Sequence, residues 1–175
     1  MKRKVNSRHS YKLLHPKIVA LITSRSKKGR ENVMSCAWMT PVSVNPPLVL
    51  VSIAREWYTS ELINESKEFV INIPDFSMIK EVMLAGTLSG RRIDKLMKMG
   101  LKVSKAKMVK SPVVDKCIAH IECKLVKKVE AGESYIFIGK VLAAYADENY
   151  FDRQWKSRAN IPLHLADDKF VRFKS

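Results

Sequence analysis

Cysteine is scarce. Cys36, Cys117 and Cys123 are an odd number without paired spacing, which argues against a disulfide framework and for a reducing, cytoplasmic address. No apolar run approaches the roughly 18–20 residues that a spanning helix needs. The start, Met1-Lys2-Arg3-Lys4, leads into polar Asn6-Ser7-Arg8, so neither secretion nor membrane spanning is expected. With only six glycines and seven prolines against 46% apolar residues, collagen-like repetition and low complexity are excluded. The 175 residues suit one domain over 1–175, with residues 1–15 as a basic N-terminal arm.

Several chemical signatures are also missing. There is no Gly-x-Gly-x-x-Gly after a strand, no Gly-x-x-x-x-Gly-Lys-Ser/Thr phosphate loop and no Gly-x-Ser-x-Gly elbow. His9, His15, His120 and His164 are dispersed, and neither His-Glu-x-x-His nor Cys-x-x-Cys occurs, so no metal site is expected.

What is abundant is positive charge, a net +15. Its distribution is uneven. Residues 1–30 carry ten basic and no acidic side chains, 31–101 carry seven and eight, 102–128 carry eight and two, and 129–175 carry seven and seven. A bulk excess of this size invites a polyanion partner. Its concentration in two segments, with a Lys- and Glu-rich composition holding a single glutamine (Gln154), weakens that reading. Nucleic acid is therefore not the expected partner, although a basic polyanion-binding module stays open.

Residues 18–24 form a β-branched apolar run, 32–44 a second extended stretch, and Pro46-Pro47 turns the chain into a third strand over 48–54, a three-strand meander. Hydroxyl residues and Glu61 mark a helix from Thr59, the N-cap candidate, to Ser66. A strand over 69–73 stops at Pro74. Amphipathic spacing then predicts a helix over 78–84, and 93–99 a shorter one. Two long alternating strands, 117–129 and 135–145, form a hairpin across Ala131-Gly132. This order lacks regular βαβ alternation. A mainly β fold with short helices, closed as an antiparallel barrel, removes the exposed edges.

The residues left to carry chemistry cluster at the ends of the first three strands. Five segments occur in order: Val19-Ala-Leu-Ile-Thr-Ser24; Asn32-x-Met-Ser-x-x-Trp-x-Thr-Pro-Val-Ser-x-x-Pro-Pro47; Val51-Ser-Ile followed by Thr59; Glu68-Phe-Val-Ile-Asn-Ile-Pro74; and Ser89-Gly-Arg-x-x-Asp-Lys95. The series resembles the flavin reductase-like, flavoredoxin-type FMN-binding family, from about Pro16 onward. The resemblance implies an FMN-binding split β-barrel, antiparallel and Greek-key-like, and a homodimer with FMN near the subunit interface.

It also implies site residues. Thr59, Ser60 and Lys95 become candidates for the phosphate, and Asn32, Met34, Ser35, Cys36, Ser52, Ile53 and Ala54 for the flavin edge. Thr23, Ser24, Arg55 and Trp38 stand beside them, and Ser89 and Gly90 form a loop over the cofactor. Structural alternatives stay open: a plain helix cap at Thr59, a solvated Lys95, core packing for Met34, Cys36, Trp38 and Ile53, a structural role for His164. One departure matters. Many relatives carry His after Gly-Asp before the last long strand, whereas this chain reads Gly132-Glu133-Ser134-Tyr135.

The expected function is an FMN-dependent oxidoreductase in which NADH or NADPH reduces flavin, a ferric complex or a similar acceptor. A flavoredoxin-like electron carrier without nicotinamide turnover is the alternative.

Overall fold

In a computed structural model, which describes residues 1–173, the β-branched runs become strands. A 3-10 turn over Ser7–Leu14 precedes β1 (Lys17–Ile18), β2 (Ala20–Arg25), β3 (Glu31–Cys36), β4 (Met39–Ser43) and β5 (Leu48–Ala54). Helix α1 (Tyr58–Ser66) and β6 (Glu68–Ile73) follow, then α2 (Ile79–Thr87), α3 (Lys95–Met99), β7 (Val103–Ser104) and β8 (Val113–Val114). The long strands β9 (Ala119–Ala131) and β10 (Ser134–Ala146) come next. The chain continues through β11 (Phe151–Asp152), β12 (Gln154–Trp155), β13 (Pro162–Ala166) and β14 (Lys169–Arg172).

Seven strands make one antiparallel sheet in the order β3-β2-β6-β9-β10-β5-β4. Its end strands, β3 and β4, are consecutive in the chain and joined by Ala37-Trp38. The N–H of Ser52 in β5 donates to the Trp38 carbonyl at 2.8 Å, which draws the two ends of the sheet together as a barrel. Inward-facing Ile22, Met34, Ile53, Phe69, Ile71 and Phe137 fill it as one cluster. The expected pairings of neighbouring strands hold, β2 with β3 and β4 with β5, but the 32–44 stretch is not one strand: it breaks at Ala37-Trp38 into β3 and β4, which lie at opposite ends of the sheet.

A second cluster lies on the outer face of β2 and β3, where Leu21 and Val33 meet Met78, Val82 and Ala85 of the α2 region and Leu96 of α3. Helix α1 buries Leu62 and Ile63. The β9–β10 hairpin turns at Gly132, whose φ of 58° is a conformation that L side chains rarely adopt. The C-terminal β13–β14 hairpin adds β1 in a separate three-stranded sheet. The basic arm is tied down to it, since Lys12 pairs with Asp167 at 3.3 Å. Among the described residues no helix is long and apolar enough to cross a membrane.

The Lys-rich 102–115 passage is held by a buried carboxylate. Glu122 accepts from the N–H groups of Lys107 (2.8 Å), Met108 (2.6 Å) and Val109 (3.2 Å) and from the Tyr145 hydroxyl (2.9 Å). Burial pushes its carboxyl upward, but these four donors outweigh it and hold it below the usual carboxylate range.

Candidate functional site

Strand β3 ends the sheet, and among the described residues β2 is its one ladder partner, so its other edge is unpaired. Asn32 and Met34 point to one side of the strand and Ser35 to the other, yet all three line a cleft of about 220 Å³. A cleft along the unpaired edge accounts for that. Its other walls are the entry to α1, the C-terminal end of α2, the loop with Ser89, Gly90 and Arg91, and Lys95 at the start of α3.

The entry to α1 differs from expectation. Trp57, not Thr59, occupies the N-cap, and it contributes no side-chain cap. Thr59 is the helix's second residue, and its hydroxyl accepts from the Asn32 amide at 2.9 Å. A side chain so engaged does not close the helix end. Among the described residues the N–H groups of Tyr58 and Thr59 have no partner, which leaves the positive end of the helix dipole facing the cleft.

Lys95 is 5% exposed, and its ammonium donates to the Ala85 carbonyl in the last turn of α2 at 2.6 Å. Burial lowers its pKa to about 8. Asp94 accepts from the Met97 N–H at 3.0 Å and caps α3, which sets Lys95 in the cleft wall. Opposite, the buried Oδ1 of Asn32 has no hydrogen-bond partner among the described residues. Gly90 closes against it: a Cβ there would stand 2.0 Å from Oδ1. Only glycine allows this approach.

Of the residues expected at the site, the cleft collects Asn32, Met34, Ser35, Thr59, Ser89, Gly90 and Lys95. The others do not line it. Thr23 faces outward and donates to the Pro112 carbonyl, Ser24 is fully buried, and Ile53 and Cys36 are barrel core. Burial pushes the Cys36 thiol up to about 11, which leaves it protonated and unreactive at neutral pH. Ser60 donates to the Ala54 carbonyl at 2.8 Å and shapes the turn into α1. Arg55 is exposed and 3.7 Å from Glu130. Trp38 and Ser52 line a different cavity, with Tyr11 and His15.

Sequence reasoning missed Trp57 and Tyr58, which line the cleft because α1 begins one residue before Thr59. It also missed the adjoining cavity of about 430 Å³, which shares Ser35, Trp57, Gly86 and Thr87 with the cleft. Val19, Val82, Met83 and Phe170 make that cavity apolar, and His164, Asp167 and Asp168 edge it. His164 is fixed in the C-terminal hairpin, its Nε2 3.0 Å from the Asp167 carbonyl.

Together the two cavities present anion donors at one end and an apolar wall at the other. These features fit FMN: Lys95 and the α1 N-terminus suit a dianionic phosphate, Asn32 Oδ1 can accept from a hydroxyl or ring N–H, and the apolar walls suit an aromatic ring.

Comparison with known proteins agrees with this geometry. A protein of Archaeoglobus fulgidus is 40% identical over 129 residues, covering 74% of this chain and 72% of its own. Flavoredoxin from Methanosarcina acetivorans superimposes with a TM-score of 0.88 at 27% identity, covering 100% of this chain and 92% of that one. An FMN-binding domain of a flavin reductases-like enzyme from Shewanella baltica gives 0.83 at 26%, covering 98% and 93%. Residues 12–174 match the flavin reductase like domain, and the chain belongs to that family.

Proposed function

We propose that this chain is an FMN-dependent oxidoreductase that takes reducing equivalents from NADH or NADPH and delivers them to free flavin, a ferric complex or a similar acceptor. One observation carries the reading. Lys95 is a buried cation whose one hydrogen-bond partner among the described residues is a carbonyl, and it lines the same cleft as the open N-terminus of α1, a cleft that adjoins an apolar cavity. A phosphomonoester dianion satisfies that arrangement better than water does.

Lys95 and the α1 N–H groups would hold the phosphate, Asn32 a polar edge of the cofactor, and Val82, Met83 and Phe170 would keep water from the ring. Bound FMN would supply hydride uptake at N5 and onward release one or two electrons at a time. Family membership and the FMN-binding relative support the cofactor. Protein purified with flavin absorption bands that oxidises NADH or NADPH in the presence of flavin or ferric acceptor is the expected result. A colourless protein that binds no FMN would overturn the reading and favour a basic polyanion-binding module.

A specific observation favours a second reading, an electron carrier without nicotinamide turnover. Where the resemblance implies His after Gly-Asp, this chain has Ser134-Tyr135 after Gly132-Glu133, and the Tyr135 ring is packed edge-on to Phe137 with the Lys128 ammonium 4.2 Å from its centroid. The flavoredoxin relative supports the same alternative. Slow bleaching of bound flavin by both nicotinamides with fast reoxidation by a protein partner would select it.

The reading includes a homodimer in the cytoplasm. Exposed Trp38, Val42 and Val44 around the β4 edge support the first, and three unpaired buried cysteines support the second. Light scattering at the mass of two chains is expected.

A further inference from the structure

Arg30 lies in none of the sequence segments that point to the site, yet it grips the loop that closes the cleft. It follows the Gly29 turn between β2 and β3, and its guanidinium donates to the Gly90 carbonyl at 2.5 Å and to the Arg91 carbonyl at 3.3 Å. The same guanidinium sits 5.3 Å from the centroid of the Tyr58 ring, the first residue of α1. Arg91 stacks on that ring too, at 5.6 Å, while donating to the Glu56 carbonyl at 2.6 Å and to the Glu61 carboxylate at 3.0 Å. Two arginines thus bind the loop to the helix entry through one aromatic ring.

This grip sets the direction of a peptide plane. In a trans peptide the carbonyl and the next N–H point to opposite sides. With the Gly90 carbonyl turned to Arg30, the Arg91 N–H is turned away from it. Among the described residues the N–H groups of Ser89, Gly90 and Arg91 have no hydrogen-bond partner, and all three residues line the cleft. Successive free N–H groups in a turn form a concavity for an anion. Gly90 is already pressed against Asn32, so the loop has little room to reorient without releasing Arg30.

We infer that Arg30 is a positioning residue: by holding the Gly90 and Arg91 carbonyls it sets the 89–91 loop as an anion nest that completes the phosphate cradle with Lys95 and α1. The inference rests on the FMN reading above and deepens it, since it assigns the phosphate, rather than the ring, to this loop.

The test compares FMN with riboflavin, which lacks the phosphate, by fluorescence quenching on titration of flavin-free protein. Arg30→Gln is expected to weaken FMN about tenfold and leave riboflavin unchanged, the loss of a charged donor's hydrogen bonds. The loss should persist between about 0.05 and 0.5 M salt, because a positioned loop is not screened as a remote charge is. An unchanged FMN affinity, an equal loss for both flavins, or a loss that vanishes at high salt would overturn the inference while leaving the FMN reading intact. Parent protein that binds neither flavin would overturn both.

Discussion

Asn32 donates to Thr59 at 2.9 Å and thereby ties the free edge strand β3 to the second residue of α1. Both residues are buried, and they come from segments 27 positions apart. The bond uses the threonine hydroxyl inside the fold, so the helix end is left open toward the cleft.

Thr59→Val should therefore destabilise the protein by about 1–3 kcal/mol, because it strands the buried Asn32 amide without an acceptor. Thr59→Ser should keep nearly all of the stability. Urea denaturation of the flavin-free protein measures both, and equal stability of the valine variant and the parent would refute the role.

Lys95 predicts a pH dependence. In the flavin-free protein it loses its proton near pH 8, whereas a phosphate beside it favours the protonated form. FMN affinity should fall about tenfold per pH unit above that point until the lysine of the complex also titrates. Riboflavin affinity should stay flat, and Lys95→Met should bind FMN weakly without the bend. The linkage for folding runs the other way. Above about pH 8 the unfolded chain still binds this proton and the native chain does not, so stability contributed by the group rises toward pH 10.5.

Gly90→Ala places a methyl 2.0 Å from Asn32 Oδ1 and 3.1 Å from the Tyr58 ring. The loop must lift. An overpacking cost of about 1–3 kcal/mol, borne at the cleft, corresponds to roughly a tenfold or greater loss of FMN affinity, with circular dichroism unchanged. Unaltered affinity in this variant would show that the loop does not touch the cofactor.

Glu122→Gln exchanges a carboxylate whose two oxygens accept four hydrogen bonds for an amide that keeps one acceptor oxygen and turns an NH2 group toward the donors of the other. A loss of about 2–4 kcal/mol is expected at neutral pH. Because the folded carboxyl is held below its usual range, this contribution is full above the unfolded value and disappears as pH falls through the folded one. The stabilities of variant and parent should thus converge in acid.

Changing Lys2, Arg3, Lys4 and Arg8 to Gln should leave FMN affinity within about twofold, since all four are exposed and none lines the cleft. A colourless product would show that the arm's charge acts on the cofactor.

How far the sequence determined this protein can be traced residue by residue. The runs that became β2, β5 and β6 were legible because β-branched apolar residues pack well on a pleated surface, and the β9–β10 hairpin because two alternating strands flank a turn at Gly132. Asn32, Met34, Ser35, Thr59, Ser89, Gly90 and Lys95 were legible as a group through the order of their segments. The tertiary structure alone decided which faces met. Alternation along a strand sends Thr23 outward and Ile53 inward, and only closure of the barrel at Trp38 and Ser52 decides which of those faces is core. It also decided the role of Arg30, whose grip on Gly90 spans 60 positions of chain. Local sequence carries propensity and period. Long-range contacts depend on how the barrel closes, which no single segment encodes.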